Sequence, residues 1–380
     1  MLGLYVHVPY CRVKCYYCDF AAFSGQKRTA GRYLRALERE ARFWEGDAPE
    51  TLYVGGGTPS ELDGGQVAEL FGLIRRGFPA ARFKEISFEA NPESLDTEKI
   101  AILKEMGVTR LSLGFQTPDD ALLKSIGRVH TAADFRRVFG EARSEGISVS
   151  IDLMYGLPGQ TLAGFRSGLR EVLDIEPEHI SLYGLQVEDR TLFARRGVEP
   201  NEDLCRAMYE GAIEALNSAG YEHYEISNFA RPGHQSLHNR IYWRNGEYIG
   251  LGCGAASYRD GRRFTNHDRL IPYIEAAEAG ARPVSFAEEL SGKDKLGETA
   301  MLGLRLVSEG VSVAGEMGEA FNLSWRYLEE QGLVRIAAGR ARLTREGVFL
   351  ANRAFAEFVP PYRGSGLDMG HSGLTRCFNV

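Results

Sequence analysis

Cys11-Arg12-Val13-Lys14-Cys15-Tyr16-Tyr17-Cys18 is the most informative stretch of this 380-residue chain, and it follows directly on the β-rich run 4–8. Three thiolates on one short loop can hold three corners of a cubic 4Fe-4S cluster, because cysteine sulfur is the usual ligand of such iron. A fourth cysteine at a matching distance is absent, since residue 20 is Phe20. The spacing therefore predicts a cluster held by Cys11, Cys15 and Cys18, with its fourth iron open to a small molecule.

Two alternatives compete with the cluster. A structural zinc ion needs four ligands, and His7 could supply the fourth from the first strand if its side chain points that way. An inert, buried cysteine loop is the other alternative. It is disfavoured because closely spaced thiols in a loop that also carries Arg12 and Lys14 invite metals.

The composition is that of a globular protein in a reducing compartment. The 45 Lys and Arg against 51 Asp and Glu give a net charge of −6 and a pI near 5.9, which argues against a general polyanion binder. No apolar run reaches the roughly 18 residues that a membrane span needs. Six cysteines in 380 residues do not make a disulfide scaffold. We therefore expect a cytoplasmic protein, with peripheral docking at the inner face of a membrane left open.

Strands and helices alternate along the first part of the chain. Between β-rich runs lie stretches with apolar residues at helical spacing, and this alternation predicts a parallel sheet covered by helices. The predicted strands are 4–8, 52–54, 85–90, 110–115, 148–154 and 179–186. Six such units predict an α/β fold, an open six-unit (β/α) partial barrel, over residues 1–230.

The remainder divides into three parts. Residues 231–290 are predicted to form a linking α+β region. Residues 291–359, read as three helices (293–307, 313–321 and 324–331) followed by a hairpin, resemble a winged helix. That part holds nine basic and nine acidic residues, whereas a nucleic-acid-binding wing normally carries a basic surplus. We therefore expect no nucleic-acid partner. From residue 360 the Gly- and Ser-rich sequence predicts a mobile tail, 360–380.

Polar residues recur where the predicted strands end. Gly55-Gly56-Gly57-Thr58-Pro59 follows the second strand, Glu89 the third and Gln116 the fourth, while Asp152 lies in the fifth. Arg128 lies in the loop after the fourth strand. Glycines let backbone N–H groups approach a ligand, and the carboxyl ends of parallel strands are where barrel enzymes place their chemistry. These residues are predicted to converge with the cysteine loop at one barrel mouth.

The cysteine spacing and these strand-end motifs resemble the radical S-adenosylmethionine (radical SAM) superfamily. Residues 1–230 resemble its coproporphyrinogen dehydrogenase (HemN) group. The resemblance implies that S-adenosylmethionine chelates the open iron and is cleaved to a 5′-deoxyadenosyl radical. It implies contacts to that cofactor from Tyr5, Gly56 and Glu89. On the same basis, a second cofactor or substrate pocket is lined by Tyr17, Gly57, Thr58, Gln116, Arg128 and Asp152.

Within that group the chain resembles the HemW branch of heme chaperones. The dehydrogenases have a further cysteine where Phe20 stands, and their N-terminal extension is missing here. The stretch His238-Asn239-Arg240-Ile241-Tyr242-Trp243 matches the His-Asn-x-x-Tyr-Trp motif of HemW. The resemblance implies heme as bound cargo, transferred to acceptors such as respiratory cytochromes. His238 is the leading axial-ligand candidate.

Other residues compete with His238 or have no assigned role. His234 is a nearby competitor, and Cys253 could supply a thiolate but is better explained as a small buried thiol. Cys205 and Cys377 are assigned no role. An electron donor for the cluster is expected, and a homodimer is left open. The alternative functions are an oxygen-independent coproporphyrinogen III oxidase, a HemN-like radical SAM methyltransferase and an iron–sulfur regulator that binds DNA.

Overall fold

The computed structural model of the chain describes residues 1–363. They fall into two compact units, one formed by 1–222, 227–238 and 247–288, the other by 223–226, 239–246 and the residues from 289 onward. The domain boundaries expected from the sequence stay predictions. The part of the predicted tail beyond 363, with Cys377, lies outside the described residues.

Six parallel strands at the centre of the first unit pair in the order in which they occur in the chain. The predicted open α/β arrangement is confirmed. The strands are β1 (Gly3–Val8), β2 (Thr51–Gly56), β3 (Glu85–Ala90), β4 (Arg110–Gln116), β5 (Ser148–Tyr155) and β6 (His179–Gly184). The helices are α1 (Ala30–Ala41), α2 (Gly64–Gly77), α3 (Thr97–Glu105), α4 (Asp120–Ser125), α5 (Ala132–Ser144), α6 (Leu162–Asp174), α7 (Leu192–Arg195) and α8 (Glu202–Ser218).

The two faces of the central sheet differ in chemistry, because successive side chains of a strand point to opposite faces. One face is apolar and packs on the helices: Phe88 of β3 stacks on Phe71 of α2, and Phe115 of β4 stacks on Phe135 of α5. The opposite face is polar and carries a row of small hydroxyl side chains. These are Ser87, Ser112, Ser150 and Ser181. The polar face leads to the strand ends where the candidate site residues lie.

Further strands extend this sheet at its two sides. β7 (Asn228–Ala230) runs antiparallel to β6. On the other side, β8 (Tyr248–Leu251) pairs in parallel with β1, so a seventh parallel strand ends at the same edge as the first six. Beyond it lie β9 (Ala256–Arg259), β10 (Arg262–Asn266) and β11 (Val284–Glu289). Helices α9 (Leu237–Trp243) and α10 (Leu270–Glu278) occur in the same part of the chain.

The second unit is built on a small antiparallel sheet. Its strands β12 (Val311–Ser312), β13 (Val334–Ala337) and β14 (Arg340–Leu343) lie in the order β12-β14-β13, and the predicted hairpin is the β13–β14 pair. The helix predicted over 313–321 is shorter and begins only at Glu316, because the N–H of Val313 still donates to Gly339 O at 3.0 Å and Gly315 adopts φ +58°. The helices of this unit are α11 (Gly292–Arg305), α12 (Glu316–Ala320), α13 (Asn322–Glu330), α14 (Arg345–Phe349) and α15 (Ala351–Ala356).

The core of the second unit is apolar and includes Trp325, Leu328, Phe355 and Phe358. The strand Glu222–Glu225 contributes residues to this unit as well. The winged-helix interpretation stays a prediction. Among residues 1–363, none of the helices combines the length and the apolar character needed to cross a membrane.

Candidate functional site

The cysteine loop is closed by two short strands that pair in parallel, Tyr10–Cys11 and Phe23–Ser24. Inside it the N–H of Cys18 donates to the carbonyl of Cys15 at 3.2 Å, which forms a tight turn. The N–H of Tyr16 donates to Ile126 O at 3.1 Å and ties the loop to the end of α4. All three cysteines are therefore presented, half-buried, from a loop that the backbone fixes at both ends and in the middle.

The thiols have polar neighbours that suit metal-bound sulfur. Cys11 Sγ lies 3.4 Å from Thr58 Oγ1, and Arg128 Nη1 donates to Cys15 Sγ at 3.6 Å. Burial raises the pKa of Cys11, and it raises that of Cys18 to about 12, so a cation is needed to hold these groups as thiolates. Three thiols of one loop are a donor set that fits a 4Fe-4S cluster.

In residues 1–363, no group of three or more His, Cys, Asp and Glu side chains lies where it could hold one metal ion together. A cluster does not require such a meeting point, because each thiolate binds a different iron atom. His7, the candidate for a fourth zinc ligand, is otherwise engaged. Its Nε2 must donate to Ala21 O (2.9 Å), since a carbonyl only accepts, and its Nδ1 then accepts from Tyr5 (3.0 Å).

The glycine run after β2 packs directly against the cysteine loop. The N–H of Gly57 donates to Val8 O at 2.9 Å, and a Cβ on Gly57 would lie 2.8 Å from Tyr10 O and 3.1 Å from Cys11 Sγ. Gly56 has φ +117°, and a Cβ there would meet the His7 ring at 2.7 Å. Side chains are excluded at both positions, so the backbone of the run packs directly beside the cysteine loop.

Glu89 is a buried carboxylate beside this run. Tyr53 Oη donates to its Oε1 at 2.7 Å, and the N–H of Gly56 donates to its Oε2 at 3.1 Å. Burial raises the pKa of Glu89 to about 7, since none of the Lys, Arg and His side chains in residues 1–363 comes within ion-pair distance of it. Tyr5, which stacks on Tyr53 with ring centroids 6.1 Å apart, covers the same corner. A ligand bearing an ammonium group would supply the missing charge.

Arg128 joins three parts of the mouth. Besides its contact to Cys15, its Nη2 donates to Asn91 Oδ1 at 2.6 Å and to Gly114 O at 2.5 Å. Asn91 in turn donates from Nδ2 to Thr58 Oγ1 at 3.2 Å. Asn91 and Tyr53 were not among the predicted site residues, although Asn91 stands two residues after Glu89 and so points to the same side of the strand end.

Gln116 ends β4 in a left-handed conformation, with φ +68°, where the register between β4 and β5 shifts. Non-glycine residues seldom adopt this conformation unless their surroundings enforce it. A Cβ on Gly114 would meet Arg128 Nη2 at 2.6 Å and Gln116 Nε2 at 3.0 Å. The side chains of Gln116 and Arg128 therefore crowd over the same glycine.

Asp152 faces the mouth from β5. Both of its oxygens lie 3.1 Å from Ser112 Oγ, and burial raises its pKa to about 6. Tyr17 is half-buried near Cys15 and Arg128, and loss of solvent around its hydroxyl raises its pKa. The predicted mouth residues thus lie around the ends of β1, β2, β3, β4 and β5, together with the cysteine loop.

His238 lies elsewhere. Its side chain has no exposed surface, its Nδ1 is 2.8 Å from Thr51 Oγ1 at the first residue of β2, and its ring packs on Tyr53 with centroids 5.3 Å apart. Burial lowers its pKa to about 3. This position is at the amino-terminal end of the strands, opposite to the mouth. His234 is close to the same end, where its carbonyl accepts from Arg110 Nη2 at 2.6 Å.

Two further cysteines lie away from the loop. Cys253 is fully buried after β8, and its N–H donates to Tyr33 Oη at 3.0 Å. Burial raises the pKa of its thiol to about 12, as expected for a packed, inert side chain. Cys205 lies on α8 against Gly156.

Comparison with known proteins identifies the family. The Radical SAM superfamily profile matches residues 5–171. Heme chaperone HemW of Bacillus subtilis (strain 168) is 37% identical over 379 residues, covering 94% of this chain and 99% of that relative. Heme chaperone HemW of Escherichia coli (strain K12) is 37% identical over 305 residues, covering 75% of this chain and 81% of that relative.

A solved structure shows the same fold. It is coproporphyrinogen III oxidase (HemN) from Escherichia coli, described as a Radical SAM enzyme, with a TM-score of 0.82 and 24% identity over 94% of this chain and 89% of that one. A radical SAM domain works with a 4Fe-4S cluster and S-adenosylmethionine, and both are cofactors of this chain. The chain belongs to the HemW family within the Radical SAM superfamily.

Proposed function

We propose that this protein is a heme chaperone, which binds heme in addition to a 4Fe-4S cluster and S-adenosylmethionine and passes the heme to an acceptor protein. The observation that carries the proposal is the similarity to curated heme chaperones along almost the whole length of both chains, 94% and 99% for the Bacillus subtilis relative. Phe20, where the cysteine loop lacks a fourth thiol, supports the same branch.

At the mouth, each residue has a proposed task. Cys11, Cys15 and Cys18 ligate three irons. Glu89 accepts hydrogen bonds from the ammonium group of S-adenosylmethionine, for which its uncompensated carboxylate is suited. Gly56 has no side chain that would obstruct the approach of that ligand to the backbone. A reduced cluster held by these cysteines would supply the one electron that breaks a C–S bond of the sulfonium, giving methionine and a 5′-deoxyadenosyl radical.

The second pocket is proposed to lie on the side of Arg128 that faces away from the S-adenosylmethionine contacts. Its guanidinium holds Cys15, Asn91 and the end of β4 in place and presents a positive charge to a ligand carboxylate. Tyr17, Gly57, Thr58, Gln116 and Asp152 are the remaining members proposed for this pocket. Because these groups already hold one another, the pocket is organised before a ligand enters.

The motif makes His238 a candidate axial ligand, but its complete burial favours a structural role and sets a condition on any contact with heme. Heme iron can reach the imidazole only after the packing on Tyr53 and the bond to Thr51 have opened. A His238→Ala variant that keeps the heme spectrum and affinity of the wild type would clear this residue of the role.

The finer parts of the proposal concern partners and place. The proposed acceptors are respiratory cytochromes, and an electron donor is needed for the cluster. The proposed location is the cytoplasm, with docking at the inner face of the membrane where such acceptors lie.

The test is a paired anaerobic titration of the reconstituted full chain. Heme is expected to bind with a change in its Soret band and to pass to an apo-cytochrome added afterwards. Coproporphyrinogen, given with S-adenosylmethionine and reductant, is expected to stay unconverted. Steady formation of protoporphyrinogen would replace the chaperone by an oxidase.

A further inference from the structure

A cavity of about 280 Å³ lies on the helix-covered side of the central sheet. Leu52 and Ile86, each the second residue of its strand, place it at the amino-terminal ends of β2 and β3, away from the mouth. Its volume is close to the roughly 300 Å³ at which small-molecule sites begin.

The walls of this cavity are apolar and partly aromatic. Phe71 and Phe78, both 2% exposed, come from α2 and its end, and Phe83 comes from the loop before β3. Flat aromatic rings and branched aliphatic side chains are the surfaces on which a flat apolar ligand packs. The chemistry of the walls therefore favours an aromatic or macrocyclic body over a sugar or a nucleotide phosphate.

Two exposed arginines, Arg75 and Arg82, complete the lining. Arg75 Nη2 donates to Met106 O at 3.2 Å, and Arg82 Nη1 donates to Ala81 O at 2.8 Å. In the described part of the chain neither has a carboxylate within ion-pair distance.

The neighbouring cations differ in this respect. Arg76 pairs with Glu38 and Glu69, each at 2.8 Å, and Lys84 pairs with Glu50. Arg76 and Lys84 are thus paired with carboxylates, whereas among the described residues Arg75 and Arg82, which line the cavity, are not. A ligand with two carboxylates would compensate both charges.

We propose that this cavity is the heme site of the chain. One apolar edge of the porphyrin enters between Phe71 and Phe78, and its two propionates pair with Arg75 and Arg82 at the rim. Met106, which also lines the cavity, supplies a thioether to the iron. This inference rests on the proposed chaperone function and gives it a location other than His238.

The size of the cavity agrees with a carrier. It encloses part of a porphyrin and leaves the rest outside, whereas a protein that retains heme permanently buries most of the ligand surface. An acceptor can then take hold of the exposed part before the chaperone releases the enclosed edge.

The test compares heme titrations of the reconstituted full chain and its variants, followed by Soret absorbance. Arg75→Ala combined with Arg82→Ala should weaken heme binding roughly tenfold, since two partly exposed charge pairs are lost. Arg76→Ala is the matched control, because it removes a neighbouring arginine that is already paired, and it should leave the affinity unchanged. Cluster absorbance and circular dichroism confirm that each variant is folded.

Met106→Leu tests the iron ligand separately. This change of similar volume should shift the Soret band of bound heme but leave the affinity for iron-free protoporphyrin IX unchanged. The arginine pair, in contrast, should weaken the binding of both compounds equally.

Three outcomes would overturn the assignment. An arginine double variant with wild-type heme affinity removes the cavity as the site. Equal losses in the double variant and in Arg76→Ala show an unspecific charge effect and remove it as well. A wild-type chain that binds no heme at all defeats the chaperone function itself, which distinguishes that failure from a wrong location.

Discussion

The two ends of the central strands treat their polar groups in opposite ways. At the amino-terminal end, Glu85 accepts from the N–H groups of Leu237 and His238, both at 3.0 Å, and from Ser236 Oγ at 3.3 Å. Arg110 adds an ion pair to Glu85 at 3.5 Å. At the carboxyl end, Glu89 receives two neutral donors and no cation among the described residues.

The difference distinguishes structure from function at two glutamates only four positions apart. A buried carboxylate that is fully hydrogen-bonded stabilises the fold, whereas one left without a counter-charge is costly unless a ligand compensates it. By this criterion we expect a binding site at the mouth and a structural role for the polar network around His238. The predictions below test each half of that contrast.

The largest expected effect is at the cysteine loop. Cys15→Ala removes one of three proposed thiolate ligands, and a cluster held at two corners should be lost completely, together with its iron and sulfide. The fold should survive, because Cys15 is half-buried and the loop is held by backbone bonds on both sides. Iron and sulfide analysis with visible absorbance measures the loss.

Cys205→Ala is the control for that variant, since this thiol lies on α8 away from the loop. It should keep the full iron and sulfide content. A Cys15→Ala protein that retains the cluster absorbance of the wild type would show that the ligand assignment is wrong.

The second prediction concerns the polar network around His238. His238→Ala removes the buried bond to Thr51 and should lower the free energy of unfolding by about 1–3 kcal/mol, because a buried hydroxyl loses its partner. Urea titration measures this change. Thr51→Val combined with His238→Ala completes a double-mutant cycle, in which the two changes should be less than additive.

The outcome also bears on heme. If the network around His238 is structural, His238→Ala should lower the stability of the protein and leave the Soret band of bound heme unchanged. If the Soret band changes while the stability does not, the contrast between the two ends fails and His238 is a ligand after all.

The third prediction uses the uncompensated charge of Glu89. A carboxyl whose pKa is raised to about 7 is mostly neutral below that pH and mostly ionised above it. An ammonium group binds the ionised form, so affinity for S-adenosylmethionine should rise about fourfold between pH 6 and pH 8, less than the full ionisation of Glu89 because an α-amino group begins to lose its proton near pH 8. Calorimetric titration at the two pH values measures it.

Glu89→Gln should abolish that pH dependence and leave weak binding throughout. Asp152→Asn is the comparison variant: this carboxylate bonds to Ser112, and its charge also raises the pKa of Glu89, so its removal should keep the rise but move it to lower pH. A wild-type affinity that is flat across this range would remove Glu89 from the proposed contact.

The sequence predicts the six parallel strands well, because each is a local run whose apolar face must meet a helix. The glycine run and Glu89 follow from the same logic, since strand ends meet at one edge. The pairing of β8 with β1 joins residues more than two hundred positions apart, and no local periodicity encodes such a register. That is why residues 231–290 are predicted as a linking region although their strands extend the central sheet.

Side-chain orientation is the second thing that the sequence does not contain. The motif that begins at His238 resembles a heme-binding motif in its sequence. Only the fold shows that Glu85 caps the helix that carries it and that the imidazole of His238 is already hydrogen-bonded to Thr51. Arg75 and Arg82 are the opposite case. In the sequence they look like ordinary surface arginines. Only the fold shows that, within residues 1–363, the neighbouring Arg76 and Lys84 form ion pairs with glutamates while these two arginines do not.

The smallest expected effect is at Gln116, where the mouth imposes strain on the backbone. Its φ of +68° is the left-handed region, which costs a residue with a Cβ about 1–2 kcal/mol. Gln116→Ala and Gln116→Gly both remove the side chain and differ only at Cβ. The glycine variant should be the more stable by about 0.5–1 kcal/mol, because relief of strain exceeds the added entropy of its unfolded chain.

The same two variants also distinguish the effect of the strained backbone on ligand binding from the effect of losing the Gln116 amide. If the strained turn exists to aim the Gln116 amide toward Arg128 and the proposed second pocket, both variants should lose ligand affinity equally, although only one is relieved of strain. Denaturant titration gives the stability difference, and calorimetry gives the two affinities. Equal stability of the two variants would show that the turn is unstrained. The mouth would then hold its polar groups in place at no conformational cost. Only the uncompensated charge of Glu89 would still distinguish it from the amino-terminal end of the strands.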